Sequence, residues 1–327
     1  MNLFEKDDRL CRTDFSFTTP KPQNVEASLT SPSVMEKIPE ISFKKPKNSD
    51  FEFEIFTLKK LFSRVGRIRF SLEIPHRVSF YHIIFITKGC GVHHIDFTPY
   101  AYKEGSILFI AKDQVHAFEI NDSVDGFVVI FTEPFFLKNV TQSEFLSFNR
   151  LYNYHFHSPL IEGGPDETAK CAQVIEELYD EYSAAVDFAT EDILRLQLKL
   201  LLLKAERVNN TSFEDNQSSE WVSLFAKFRN SLEAQYVETR NATEYAAKLG
   251  ISYKHLNTVC KSMTGKTAKE FIDAYVILEI KRHVAMFDVS IKELAYELGF
   301  DEPTNLIKFF KRHTHQTPLQ FKTALRA

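Results

Sequence analysis

The spacing of apolar positions changes three times along the chain. Residues 1–50 hold no sustained apolar period, and Pro20, Pro22, Pro32, Pro39 and Pro46 stand among Ser, Thr, Lys and Glu. Such a segment has too little to bury and is expected to be a mostly disordered or loosely docked arm. From residue 51 to about 136, short β-rich runs alternate with turn signals: IRFSL, SFYHIIFIT, KGCG, VHHIDF, GSILFIA and GFVVIFT. This spacing predicts a small β-barrel or sandwich. Helical periodicity takes over near Asp166, through DETAKCAQVIEELYDEYSAA and EDILRLQLKLLLLKAERV.

The second of these helices is apolar on two stripes, Ile193, Leu196, Leu200 and Leu203 on one and Leu194, Leu198, Leu201 and Ala205 on the other. Two stripes need two surfaces. Burial against the barrel and a partner subunit would make a homodimer; a helix sandwiched inside one domain satisfies the same pattern. The polar run NNTSFEDNQSS, Asn209 to Ser219, then reads as a linker. The expected organisation is an arm over 1–50, a barrel domain over 51–208, a linker over 209–219 and a second domain over 220–327.

That last region repeats itself. AAKLG at 246–250 returns as AYELG at 295–299, and Thr267 with Phe271 returns as Thr317 with Phe321. In each copy a short helix ends at a glycine, suited to the left-handed turn, and a second helix follows after about three residues. On a helical wheel, the first copy turns Leu256, Val259, Cys260 and Met263 inward and leaves Lys254, Asn257, Thr258 and Lys261 outward. In the second, Leu306, Phe309, Phe310 and His313 face inward, with Thr304, Ile307, Lys308 and Lys311 outward and Arg312 beside them. Amides, hydroxyls and lysines on a protruding helix suit base edges and phosphates in a major groove, and Ile307 suits a thymine methyl. Between the copies, 268–287 is an unbroken helical pattern about 30 Å long at 1.5 Å per residue, close to the ~34 Å between successive major-groove faces.

Charge agrees with two jobs. The net charge of −4 divides into +4 for residues 220–327 and −8 for the remainder. Cys11, Cys90, Cys171 and Cys260 form no C-x-x-C pair, so neither a zinc ribbon nor a disulfide framework is expected, and a reducing, cytoplasmic setting fits. The start of the chain has no signal-like apolar stretch, and LKLLLLK is too short to span a bilayer, so no membrane partner is expected. Catalytic patterns are lacking: GKT at 265–267 has Cys260 where a phosphate loop needs its first glycine, and G-x-S-x-G, H-E-x-x-H and G-x-G-x-x-G do not occur. No catalytic residue and no cofactor is assigned.

The double helix-turn-helix joined by a long helix, with IKELAYELGFDEPTNLIKFFKRHTHQTPLQFK near the C-terminus, resembles the AraC/XylS family of transcription regulators. His315 stands where the family usually has the glycine that ends the recognition helix, and Leu306, Ile307 and Lys308 stand where it often has Phe, Ser and Arg. HRVSFYHIIFITKGCGVHHIDFTPYAYKEGSILFIAKDQVHAF, from His76 to Phe118, is similar to the cupin-like domain with which such regulators bind small effectors. A metal-binding cupin would keep a second histidine at Val78, an acid at His82, and Pro and Gly at Ala111 and Asp113; His76, Gly89 and His116 keep their places. The resemblance implies an α+β protein, an N-terminal cupin-like β-barrel with flanking helices and a C-terminal all-α domain.

Alternation places His76, Val78, Phe80, His82 and Ile84 on one barrel face, which with His116 forms the expected effector pocket. His93 and His94, beside a turn, read as surface residues. The function implied is a sequence-specific regulator of transcription that binds double-stranded DNA, answers a small-molecule effector, forms a homodimer, and engages RNA polymerase if it activates. A metal-dependent cupin enzyme using His76, His82 and His116, or a DNA binder with no ligand, is the alternative.

Overall fold

The computed structural model describes residues 40–45, 51–63, 71–152, 158–210, 219–286 and 289–325. Its N-terminal part holds ten strands: β1 (Glu40–Ile41), β2 (Phe53–Thr57), β3 (His76–Val78), β4 (Tyr81–Lys88), β5 (Gly91–Ile95), β6 (Thr98–Tyr102), β7 (Ile107–Ile110), β8 (Val115–Phe118), β9 (Asp125–Phe131) and β10 (Leu160–Ile161). They form two five-stranded sheets, in the orders β1-β3-β8-β5-β6 and β10-β7-β4-β9-β2.

Strand β4 explains the layering. Its side chains alternate, so Ile84 and Ile86 join Val78, Phe80, Leu108, Phe118 and Val128 between the sheets, while Ile83 and Phe85 join a second core on the outer face. Helices cover that outer face: α2 (Glu133–Leu137), α3 (Gln142–Leu151), α4 (Pro165–Ser183) and α5 (Thr190–Asn210), with the short α1 (Leu58–Ser63) after β2. From α5 the stripe of Leu194, Leu198, Leu201 and Ala205 is wholly buried there, whereas Ile193, Leu196 and Leu200 remain 37%, 63% and 43% exposed.

The C-terminal part is helical: α6 (Ser219–Gln235), α7 (Ala242–Lys248), α8 (Tyr253–Thr264), α9 (Ala268–Met286), α10 (Ile291–Glu297), α11 (Pro303–Thr314) and α12 (Pro318–Ala324). Helix α9 lies in the middle. Phe271, Ile272, Val276, Ile280 and Val284 share one core with Leu256 of α8, Leu294 of α10 and Phe310 of α11, so both copies close around it.

Several expectations need correction. In IRFSL, residues 68–70 lie outside the described residues, and Ser71 and Leu72 are not in a strand, although Leu72 is buried and its carbonyl accepts from Phe118 N at 3.0 Å. Helices α2 and α3 fall where no helix was expected, and α3 is fixed by a Thr141–Glu144 capping box. Of the expected arm, residues 1–39 and 46–50 lie outside the described residues, while Glu40 and Ile41 pair in parallel with Arg77 and Val78. Of the expected linker, 211–218 lie outside them; Asn209 and Asn210 end α5 and Ser219 opens α6. Helix α9 ends at Met286, with residue 287 outside the described set. No helix among the described residues is long and apolar enough to cross a membrane.

Candidate DNA-reading helices and barrel interior

The two copies match element by element. Helices α7 and α10 have seven residues each and lie 49 apart; α8 and α11 have twelve each and lie 50 apart. Each turn closes alike: Gly250 N and Ile251 N donate to Ala247 O and Ala246 O, as Gly299 N and Phe300 N donate to Tyr296 O and Ala295 O. These bonds satisfy the last carbonyls of the first helix and need a left-handed residue, supplied by Gly250 (φ 68°) and Gly299 (φ 71°). Helix α8 begins at Ser252, whose hydroxyl accepts from His255 N, and ends at Gly265 (φ 70°). Helix α11 begins with Pro303 and ends at His315, which takes the same left-handed conformation (φ 62°) without the freedom of glycine.

Lys254, Thr258 and Lys261 of α8 are exposed, as are Thr304, Lys308, Lys311 and Arg312 of α11; Asn257 and Ile307 are half-buried. Among the described residues none of Lys254, Lys261, Lys308, Lys311 and Arg312 makes a close ion pair, so both helices present positive charge to solvent. Leu256, Val259, Cys260, Leu306 and Phe310 are buried, and Met263 and Phe309 are half-buried against the same core. His313, expected inward, is exposed: its ring lies 4.8 Å from that of Phe309 and its Nε2 3.9 Å from Asp273 Oδ2.

Asn257 has a job in the fold that the wheel did not disclose. Its Oδ1 accepts from Ala268 N at 2.8 Å, satisfying a free donor at the start of α9 and leaving the amide NH2 group unused by this contact. In the second copy the corresponding residues are Ile307 and Pro318. Proline has no N–H, so no acceptor is needed, and Ile307 supplies none.

All six residues of the expected effector pocket, His76, Val78, Phe80, His82, Ile84 and His116, are buried. His93 is buried with them, correcting its surface assignment, while His94 is exposed. Around the His116 ring, the centroids of His76, His82 and His93 lie at 4.3, 5.0 and 5.3 Å. His93 Nε2 and His116 Nδ1 share a hydrogen bond of 3.1 Å, and His76 Nδ1 donates to Ile74 O at 3.0 Å. His82 Nδ1 and His116 Nε2 are buried without a hydrogen-bond partner, an arrangement that leaves polar atoms available to a ligand.

Burial keeps the four rings neutral. It lowers His76 against the pull of the Ile74 carbonyl, lowers His82 and His116 well below the ordinary histidine range, and pushes His93 down to about 3, with neighbouring imidazoles adding to the effect at the last three. Because the unfolded chain binds protons that this interior excludes, the cluster's stability contribution is present above the ordinary histidine pKa and is lost as pH falls below it. Among the described residues no group of three or more His, Cys, Asp or Glu side chains is placed to hold a metal ion. Cys171 and Cys260 are buried, their thiols pushed up to about 11 and 12, and hence poor nucleophiles.

A cavity of about 490 Å³ lies outside the barrel interior, between strand ends and helices of the two halves; Arg77, Tyr81, Tyr152, Arg229, Glu233 and Arg282 are on its wall. None of the six expected effector residues lines it. Its charges are largely matched, with Arg77–Asp113 at 3.3 Å, Arg229–Glu233 at 3.2 Å and Arg282–Glu279 at 2.6 Å.

Family models match both halves: an AraC-like ligand binding domain over residues 67–198 and a helix-turn-helix domain over residues 245–324. The chain belongs to the AraC family of transcription regulators. It is 24% identical over 253 residues to the HTH-type transcriptional activator RhaS of Yersinia pestis bv. Antiqua (strain Angola), covering 76% of this chain and 89% of that one. Among solved structures it is similar to unsaturated fatty acid bound ToxT from Vibrio cholerae strain SCE256, with a TM-score of 0.40, 15% identity, and 85% and 97% of the two chains covered. The DNA-binding domain of AdpA in complex with a target DNA matches 32% of this chain and 92% of its own length, at 24% identity and a TM-score of 0.29. The protein is therefore a transcription regulator with an N-terminal ligand-binding domain. The nearby turn suggests a surface position for His93, although the alternation of Val92, His93, His94 and Ile95 along β5 carries the signal of its burial.

Proposed function

We propose that this regulator reads two adjacent major-groove segments of double-stranded DNA, one with α8 and one with α11. The observation that carries the reading is the pair of twelve-residue helices, each with an exposed cationic face, joined by the 19-residue α9. At 1.5 Å per residue α9 is about 28 Å long, near the ~34 Å repeat of the groove. Thr258 and Lys308 sit at corresponding positions on the two helices and contact base edges in this reading. Lys254, Lys261, Thr304, Lys311 and Arg312 serve mainly phosphates, Ile307 offers an apolar contact, and Asn257 offers its amide NH2 as a donor group.

The exposed stripe of Ile193, Leu196 and Leu200 on α5 supports a homodimer, since burying it would remove a continuous apolar strip from water. The barrel binds a small organic effector, with the unpartnered His82 Nδ1 and His116 Nε2 as its polar anchors and Val78, Phe80 and Ile84 as walls. Its work is regulatory rather than enzymatic and takes place in the cytoplasm, with RNA polymerase as a further partner if it activates. Selection from randomised duplex DNA with the full-length protein at near-physiological salt tests the central point. The expected product is a bipartite motif whose boxes lie about one helical turn apart; a single box, or weak salt-sensitive binding with no motif, would refute the two-helix reading.

A further inference from the structure

The turn between β5 and β6 consists of Asp96 and Phe97, with φ of 47° and 68°. A two-residue hairpin turn calls for positive φ at both central positions and favours Asn or Gly there; a bulky aromatic is strained. A strained residue persists where its surroundings hold it, and here the holding surface belongs to the helical half. The Phe97 ring meets Phe321 of α12 edge-on at 5.5 Å and packs against the helical core. Beside it, the Asp96 carboxylate accepts two hydrogen bonds from the Arg282 guanidinium of α9, from Nε at 2.9 Å and Nη2 at 2.7 Å. The side chains are 10% and 1% exposed, and Glu279 accepts from Arg282 Nη1 at 2.6 Å.

Asp96 is tied as firmly to the barrel. Its two carboxylate oxygens also accept from Gln114 Nε2 at 2.7 Å and Val115 N at 3.2 Å, and its own N donates to Val115 O at 2.7 Å. The next residue of β8 is His116, paired in register with Ile95 and belonging to the interior histidine cluster. Three consecutive residues, Gln114, Val115 and His116, thus bear both the supports of the carboxylate that grips α9 and an interior imidazole.

We infer that the β5–β6 turn is a clamp through which the state of the barrel interior reaches the second helix-turn-helix unit. The inference rests on the reading of the barrel as a ligand sensor. A ligand that engages His116 displaces β8, and with it the Val115 and Gln114 donors that aim Asp96. A buried bidentate pair depends on close geometry, so displacement weakens the grip on α9 and α12 rather than stretching it gradually.

Amide hydrogen exchange in the full-length protein without DNA tests the clamp separately from DNA binding. Phe97→Gly relieves the backbone strain, so a residue that served only the turn would be better replaced by glycine. The expected result is the reverse: in Phe97→Gly and in Asp96→Asn, amides of α12 exchange at least about tenfold faster while those of α7 stay within about twofold of their original rate. Unchanged or better protected α12 amides, or equal acceleration in α7, would overturn the clamp. His116→Leu, or His93→Leu if that chain does not fold, tests transmission by the same readout. Faster α12 exchange with α7 unaltered supports it, and an α12 unaffected by either interior variant overturns it.

Discussion

The first helix-turn-helix turns in open space, and the second turns against the rest of its domain. A side-chain carbon placed on Gly250 would meet nothing within 4 Å, whereas one on Gly299 would lie 1.9 Å from the carbonyl oxygen of Val237. Around the second turn, Arg240 donates to Leu298 O and its guanidinium lies 3.6 Å from the centre of the Phe300 ring. From the barrel, Phe97 and Asp96 reach α12 and α9, the helices that pack against α11. Two turns with one hydrogen-bonding pattern therefore have different freedom: the first is fixed by its own backbone, the second by its neighbours as well.

The largest expected effect separates the two glycines. Gly299→Ala should cost at least about 3 kcal/mol, from the clash together with the left-handed backbone, while Gly250→Ala should cost about 1 kcal/mol from the backbone alone. Urea unfolding midpoints at unchanged m-value measure both, and equal losses would erase the distinction. Next comes the start of the helix after each reading helix. Asn257→Ala should cost about 1 kcal/mol by stranding Ala268 N, and adding Ala268→Pro should recover part of it, because that reproduces the Ile307 and Pro318 solution of the second copy. No recovery would mean that Asn257 matters for something other than this donor. The smallest effect concerns the ends of α8 and α11: His315→Gly should stabilise the protein by about 0.5–1 kcal/mol and Gly265→His should destabilise it by a similar amount. Identical melting temperatures in all three proteins would show that the left-handed site tolerates histidine without strain.

The helical half was legible in the sequence because its signals are local. Glycines at the turns, Asn241 and Ser290 before α7 and α10, and Thr267 and Thr317 before α9 and α12 each act within four residues and recur in both copies, whereas the cap of α8, Ser252, has Glu302 as its counterpart, which makes no side-chain cap. The barrel was legible as a class but not strand by strand. TPYAY carries a proline and is not among the expected runs, yet it forms β6 by pairing with β5, a contact that exists only in the folded sheet. His93 was misplaced because proximity to a turn was weighed above strand alternation. Asn257 is expected outward and is half-buried, and its capping role was not legible, since the donor it satisfies lies eleven residues on. The contact of Asp96 with Arg282 spans 186 residues, and no periodicity or spacing encodes it.

The most direct test of the two-helix account uses the selected duplex with either box scrambled, titrated against the original protein and the Thr258→Ala and Lys308→Ala variants. The account predicts that each variant becomes insensitive to scrambling of its own helix's box, a change of about 1–3 kcal/mol in discrimination, and still responds to the other. Both variants losing discrimination at the same box, or neither losing any, would contradict it.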